Sequence, residues 1–495
     1  MLRPPYWFIL AILLVGVGLR TAAFASERSL WIDEAMVALN VVDRSPTRLL
    51  EPLDRNQGAP VGFLLATKAS VALSGPTERA LRLPAFLASL AGLAAFGLAA
   101  HRLLPLPAAR LALALFAVSP HLVSYGAECK QYSGDAAFAA GLLAVSAPFF
   151  LGPVRRRNWL AFASIGALAV WCSHPALFVL AGLGLALFGQ ARVNGDRRRL
   201  AGLILLGAAW GASFAAVYLV NLRHLGHNDY LARYWAGRFA PPPTSRSGAA
   251  WFVDHGLAFL HYPAGLTAEH RFAGLLVGAV GLVGVAGFWR LSRGLAFAFA
   301  LTAGFAVLAS GVRLYPFAGR LLLFLVPMAY LVWASGSDGL AARCLGPRGR
   351  VLGWLVAIWP VMELVDEFRS PARTEEIRPM LHWVESNRSR GDRIYVYGGA
   401  GDAGAGPAFD FYAPRYDIPT EGVVRGGVHR DDPAKYREEI AALPPGRIWV
   451  LFTHRQRDEE SVIRAGFDEV GTGHRALEAP GASLYLYELR PHSPP

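Results

Sequence analysis

Apolar residues fall along this chain in long blocks separated by short polar breaks, the spacing of membrane spans rather than of surface helices or half-buried strands. Runs long enough to cross a bilayer core occupy residues 5–25, 83–100, 111–125, 135–151, 159–172, 176–188, 200–222, 272–289, 294–312, 321–335 and 351–368. That predicts about eleven spans. The polar breaks orient them. Arg102 with Arg110, Arg155 to Arg157, Arg192 with Arg197 to Arg199, Arg290 with Arg293, and Arg343 with Arg348 and Arg350 fall in alternate breaks. The positive-inside rule puts all of these, with Arg3, on the cytoplasmic side and the C-terminus outside. Ala23-Phe24-Ala25 resembles a signal-peptidase site, but the weak n-region and long apolar run favour a retained first span.

One apolar stretch breaks this rhythm. Residues 59–74 are short, and Lys68 lies near their middle, where a charge costs about 2.5–3.5 kcal/mol on insertion scales. We expect an amphipathic helix on the outer face, within one long outer loop over residues 26–82. A second long outer loop covers 223–271, with an interfacial helix near 251–260. Short outer loops cover 126–134, 173–175 and 313–320.

After residue 370 the pattern turns soluble. Strand-like runs at 393–397, 447–452 and 483–488 alternate with helix-like stretches at 375–387, 433–442 and 459–465. The expected architecture is a polytopic α-helical membrane module over 1–370 and a small extracytoplasmic α/β domain over 371–495.

Composition agrees with the pattern. Of 495 residues, 54% are hydrophobic and 17% charged, where a soluble chain carries about 25% charged. The net charge of +12 sits in short clusters between apolar runs, which excludes a nucleic-acid surface. Three cysteines give neither a disulfide framework nor metal spacing.

The outer loops collect the chemistry. Asp33-Glu34 follow the first span beside Trp31, an adjacent acid pair at interface depth; alone they also suit an acidic helix start. Arg313 and Arg320 run against the orientation rule, and with Tyr315 between them they suit a phosphate, although each alone also suits snorkelling to lipid headgroups. Lys130 stands out in a chain whose other lysines are Lys68 and Lys435. Glu128 either helps to hold a metal or an acceptor, or pairs with Lys130. His174 suits a substrate, a metal or a helix end. Gly399-Ala400-Gly401-Asp402-Ala403-Gly404 matches the dinucleotide fingerprint literally, but a lone match in an outer, Gly/Ala-rich segment is weak and is set aside.

Trp31-Ile32-Asp33-Glu34-Ala35 resembles the acidic signature in the first outer loop of GT-C glycosyltransferases. Among these the bacterial relatives of protein O-mannosyltransferases and of lipid A aminoarabinose and galacturonic acid transferases are most similar. Asn56-Gln57-Gly58-Ala59-Pro60, Arg79-Ala80-Leu81-Arg82-Leu83-Pro84, Glu128-Cys129-Lys130-Gln131-Tyr132 and Tyr315-Pro316 through Arg320 resemble four further elements in the same order. Gly58-Ala59 and Lys130 depart from the usual pattern. The resemblance covers roughly residues 1–340. It implies transfer of a sugar from a polyprenyl-phosphate donor to a hydroxyl of a glycolipid, polysaccharide or protein, on the periplasmic face of a bacterial inner membrane. Asp33 is then the expected catalytic base. Lys130, Arg313, Tyr315 and Arg320 are expected at the donor phosphate, with Gln57, Arg79 and Tyr132 elsewhere around the substrate. Glu34, Glu128 and His174 are expected at the acceptor or at a divalent metal ion, should one be used. The rival is a lipid-linked oligosaccharide flippase or transporter, which calls for ionisable groups near the bilayer midplane and repeated halves. Neither is evident here.

Overall fold

The computed structural model describes residues 4–223, 229–370, 374–419, 421–456 and 458–491. Its membrane part contains α1 (Pro4–Ala25), α2 (Ile32–Asp43), α3 (Val61–Ser74), α4 (Glu78–Leu103), α5 (Leu106–Val118), α6 (Pro120–Ser124), α7 (Tyr132–Leu151) and α8 (Arg156–Cys172). Then follow α9 (Ala176–Val193), α10 (Arg197–Val217), α11 (Asp229–Tyr234), α12 (Arg246–His261), α13 (Arg271–Leu291), α14 (Arg293–Gly311), α15 (Val326–Gly349) and α16 (Ile358–Arg369). Among the described residues eight helices are long and apolar enough to cross a membrane, or nine if the bent pair at α5–α6 is one span. About eleven were expected. The other two expected spans are α8, with 17 residues opening on Arg156-Arg157, and 351–368, which is split between a 3-10 stretch and α16.

The bend between α5 and α6 is 53° and falls at Ser119-Pro120. Proline has no N–H, so the carbonyl of Phe116 loses its helical donor. Arg20, reaching from α1 and 1% exposed, replaces it. Its guanidinium donates to the carbonyls of Phe116 at 3.0 Å, Ala117 at 2.9 Å and Gly16 at 3.1 Å, and to Ser89 Oγ at 2.8 Å. A buried charge is tolerated at such depth only where its donors are all taken. Elsewhere the helices pack through small residues. A Cβ added at Gly336 of α15 would lie 2.1 Å from the carbonyl oxygen of Val280 on α13, so only glycine permits that approach.

Within residues 26–82 the structure departs from expectation at α3. One side packs inward through Phe63, Leu64, Thr67, Ser70 and Val71, but the other carries Leu65, Ala69, Ala72 and Leu73. The exposed face is apolar, so the helix is not amphipathic. Lys68 does not point into lipid; its ammonium donates to the carbonyls of Val41 at 2.8 Å and Val42 at 3.1 Å. A cation at the C-terminal carbonyls of α2 complements that helix's dipole.

The C-terminal part contains α17 (Ile377–Asn387), β1 (Arg393–Val396), α18 (Gly406–Tyr412), β2 (Val423–Arg425), α19 (Ala434–Ala441), β3 (Gly446–Thr453), α20 (Glu459–Val470), β4 (Gly471–Ala479) and β5 (Ala482–Leu489). The five strands order as β2-β1-β3-β5-β4, parallel across β2, β1 and β3 and antiparallel across β3, β5 and β4. Strands β2 and β4 were not foreseen. β2 is three residues long, and β4 is mostly exposed, so neither gives an apolar signal. The strand period of two sends neighbouring residues to different cores. Tyr395, Ile448, Val450 and Phe452 meet α19 and α20 on one face. Ile394, Val396, Trp449 and Leu451 face the other way, and that core continues through α17 and α18 into Leu30, Ala35, Val37, Ala38 and Val41 of the first outer loop.

Candidate functional site

Helix α2 carries the acid pair, and its start is held by the C-terminal part. Trp31 at the N-cap offers no side-chain acceptor, so the leading N–H groups need outside partners. The Ile32 N–H donates to Glu375 Oε2 at 3.0 Å, the Leu30 N–H to the Tyr412 hydroxyl at 2.9 Å, and the Ser29 N–H to Glu376 Oε1 at 3.1 Å. Carboxylates at a helix N-terminus also match its dipole.

Consecutive helical residues point about 100° apart, and the two acids part accordingly. Glu34 turns inward and is 1% exposed. Arg82 grips it from both ends of its fork, Nε at 2.8 Å and Nη2 at 2.7 Å, and the Cys129 N–H adds a third bond at 2.6 Å. This corrects the expectation of Glu34 at an acceptor or metal: its oxygens are already committed to holding α2 against α4.

Asp33 points elsewhere, toward Arg320. Its carboxylate meets Arg320 Nη2 at 2.6 Å, with side chains 21% and 17% exposed, so both remain reachable. The Arg320 guanidinium lies over the rings of Trp31 at 5.6 Å and Tyr132 at 5.5 Å, which clamp it from two elements. Lys130, 4% exposed, donates to Gln57 Oε1 at 2.9 Å. Gln57 in turn donates to Met36 Sδ at 3.1 Å, on α2 three residues beyond Asp33. Burial pushes the Asp33 carboxyl up, but Lys130, Arg320 and more distantly His454 together outweigh it and hold it below the ordinary carboxylate value. Burial pulls the Lys130 ammonium down, against the opposing pull of Asp33.

Segments about a hundred and three hundred residues apart thus meet: Asp33, Gln57, Lys130, Tyr132 and Arg320. Tyr315 plays a supporting part. Its hydroxyl donates to the carbonyl of Leu321 at 2.7 Å and its ring packs on Phe178, which holds the 3-10 turn Gly319–Leu325 that presents Arg320. Glu128 is buried within electrostatic reach of both Lys130 and Arg82. Two expected residues lie elsewhere. Arg313 is exposed in a left-handed turn, φ 59°, on the surface. Arg79 is 60% exposed and pairs with Glu27 at 2.5 Å. Both are corrected to surface positions; in a short loop the sequence does not say which arginine turns inward. His174 sits in the turn after α8, where burial pushes its imidazole down to about 4 and keeps it neutral at physiological pH. Among the described residues no three His, Cys, Asp or Glu side chains group as a metal site, and Glu34 is spent on Arg82.

The sequence missed His454, Glu375, Glu376 and Tyr412. His454 Nδ1 lies 2.7 Å from Glu375 Oε1, and the ring is within electrostatic reach of Asp33. Nothing in their spacing could have found them: the partners of Glu375, Glu376 and Tyr412 at the start of α2 lie more than 300 residues away in the chain, and His454 joins the group through Glu375.

The glycine-rich loop after β1 does sit between a strand and a helix. Its N–H groups are used within the protein, however: Ala400 donates to Gly426 at 3.2 Å, Gly401 to Gly398 at 3.3 Å and Ala405 to Tyr397 at 2.7 Å.

No protein-family description and no curated protein matches the sequence. Solved structures do match the fold. One is ArnT from Cupriavidus metallidurans bound to undecaprenyl phosphate, at TM-score 0.54 and 13% identity, covering 98% of each chain. Another is the Archaeoglobus fulgidus oligosaccharyltransferase in complex with zinc and sulfate, at TM-score 0.56 and 12% identity, covering 94% of this chain and 71% of that one. The same archaeal enzyme in complex with an inhibitory peptide and a dolichol-phosphate matches at TM-score 0.52 and 13% identity, covering 98% and 74%. Such identities speak for architecture alone: this chain shares its fold with that ArnT and with the archaeal oligosaccharyltransferase.

Proposed function

We propose that this protein is an inverting glycosyltransferase that moves a sugar from a polyprenyl-phosphate donor to a hydroxyl acceptor, on the periplasmic face of a bacterial inner membrane. The acceptor is a glycolipid, a polysaccharide or a protein. The observation that carries the reading is the Asp33–Arg320 pair at 2.6 Å, with Lys130 beside it and all three drawn from expected outer loops. The solved relatives that hold undecaprenyl phosphate and dolichol-phosphate support a lipid phosphate as the donor's carrier.

In this reading the donor phosphate docks on Arg320 and Lys130, which neutralise the charge that develops as the glycosidic bond breaks. Their charge is then shared with the phosphate, so Asp33 is less strongly held as an anion and its basicity rises. The acceptor hydroxyl passes its proton to Asp33 while its oxygen bonds to the anomeric carbon from the face opposite the phosphate. One bond forms, one breaks, and the configuration inverts. The N-terminus is cytoplasmic and the C-terminal part periplasmic.

The test has two measurements. Mass spectrometry of the purified protein is expected to find co-purifying polyprenyl-phosphate lipid. Asp33→Asn is expected to lose at least about 10²-fold of transfer while inserting and expressing normally, the loss typical of removing a general base. Full activity in that variant would remove the catalytic assignment.

A further inference from the structure

A cavity lies further along α2 from this site. Its volume is about 560 Å³, and it opens between the C-terminal half of α2 and the glycine-rich loop after β1. The size is that of a small-molecule site. Four carboxylates line it, Asp43, Asp54, Asp402 and Asp410, against the two guanidiniums of Arg55 and Arg425. Arg55 bridges Asp410 at 2.6 Å and Asp402 at 3.4 Å, and Arg425 holds the second oxygen of Asp410 at 2.7 Å. The wall of Gly399, Ala400 and Gly401 is almost bare of side chains.

Three observations join this cavity to the reaction centre. Asp33, Met36, Asn40 and Asp43 follow the helical repeat, so they line one face of α2. Asp33 stands at one end of that face and the cavity residues Asn40 and Asp43 at the other, about 10–15 Å along the axis. The segment from Asp54 to Gln57 runs beside the same face: the Asp54 N–H donates to Asn40 Oδ1 at 2.9 Å, Arg55 enters the cavity wall, and Gln57 bonds Lys130. Arg55 and Asn56 are consecutive residues in the left-handed region, φ 60° and 53°. Strain of that kind gathers where a chain must aim side chains at a ligand. Finally, Tyr230 on α11, 45% exposed, lies within electrostatic reach of both Asp33 and Asp402 and carries Tyr234 stacked beside it.

We infer that the cavity is a subsite for the carbohydrate part of the acceptor, set about 10–15 Å along α2 from Asp33, so that a hydroxyl elsewhere on the acceptor reaches the base. The inference rests on the reading of Asp33 and Arg320 as the reaction centre. Asp54 is also paired with Arg44 at 2.7 Å, so the lining keeps one more carboxylate than the guanidiniums that pair with it, a charge that does not favour a phosphate or another anion. Carboxylates and guanidiniums held in fixed pairs offer adjacent acceptors and donors to the neighbouring hydroxyls of a neutral sugar ring. Tyr230, within electrostatic reach of the cavity residue Asp402, offers an apolar face with a polar tip.

The test uses the full-length protein in nanodiscs and a panel of methyl glycosides of glucose, galactose, mannose and rhamnose, followed by saturation-transfer NMR. Gly401→Trp is the decisive variant: a Cβ at Gly401 meets nothing within 4 Å, so the fold accepts it while the indole fills the cavity. At least one glycoside is expected to bind the wild type and Asp33→Asn alike, and to weaken about 10-fold or more in Gly401→Trp. Asp43→Ala is expected to weaken it by a smaller factor. Polyprenyl-phosphate lipid is expected to co-purify with Gly401→Trp as with the wild type, which shows the variant folded. Absence of binding by every glycoside, or equal binding by Gly401→Trp, overturns the assignment. Absence of the lipid from every variant, with glycoside binding lost only in Gly401→Trp, instead overturns the donor reading and leaves the sugar site standing.

Discussion

At the scale of single residues, the acid pair Asp33-Glu34 is two different devices. Glu34 is sealed with Arg82 and is structural; Asp33 faces outward with Arg320 and carries the proposed chemistry. Removing one partner of a sealed pair leaves an uncompensated charge. Glu34→Gln is therefore expected to destabilise the fold by about 3–5 kcal/mol, read as a lower melting temperature in detergent. Arg79→Ala, at an exposed pair, is expected to change it by less than about 1 kcal/mol. Asp33 differs again. Its carboxyl is held below the ordinary value of about 3.9. The stability from its pairing is therefore present above that pH and lost as pH falls through the depressed value. In Arg320→Gln the burial that pushes the carboxyl up is opposed by Lys130 and His454 but no longer by the charge and hydrogen bond of Arg320. Titration of the Asp33 carboxyl carbon by NMR is expected to give a midpoint below about 3.9 in the wild type and a higher one in the variant. Equal midpoints would mean that Arg320 does not hold Asp33 in solution.

At the scale of elements, α2 belongs to two halves of the chain at once. Its first N–H, of Ile32, is taken by Glu375 and its C-terminal carbonyls by Lys68, while its apolar side shares a core with β1, β3 and α18. A twelve-residue helix is marginal alone in water, so its stability comes from those contacts. Hydrogen exchange is expected to protect the amides of α2 to the same degree as those of β1 and β3, because opening either breaks the one core. Faster exchange in α2 than in both strands would show it to be an independent lid. The same dependence explains how much of these elements was legible beforehand. Spans such as α1 and α13 announce themselves by length and hydropathy alone. For α3 the sequence showed a lysine in an apolar stretch but not that the lysine caps a neighbouring helix. Strand β4 was hidden because an edge strand with one exposed face needs no apolar run.

At the scale of the whole molecule, the membrane bundle and the C-terminal sheet meet at the loop that carries Asp33. The order of apolar blocks and the alternation of arginines set out the helical membrane architecture and the soluble C-terminal composition, because the cost of burying charge and unpaired backbone in lipid constrains every span locally. Local chemistry likewise marked Asp33, Lys130, Tyr132 and Arg320, as acids, a rare lysine and misplaced cations are visible one residue at a time. Which of two neighbouring acids meets Arg320, which arginine of a loop turns inward, and which distant residues hold the start of α2 were decided only in three dimensions. Those choices depend on packing between segments hundreds of residues apart, and on helix rotation of about 100° per residue, which no linear pattern in a single sequence records.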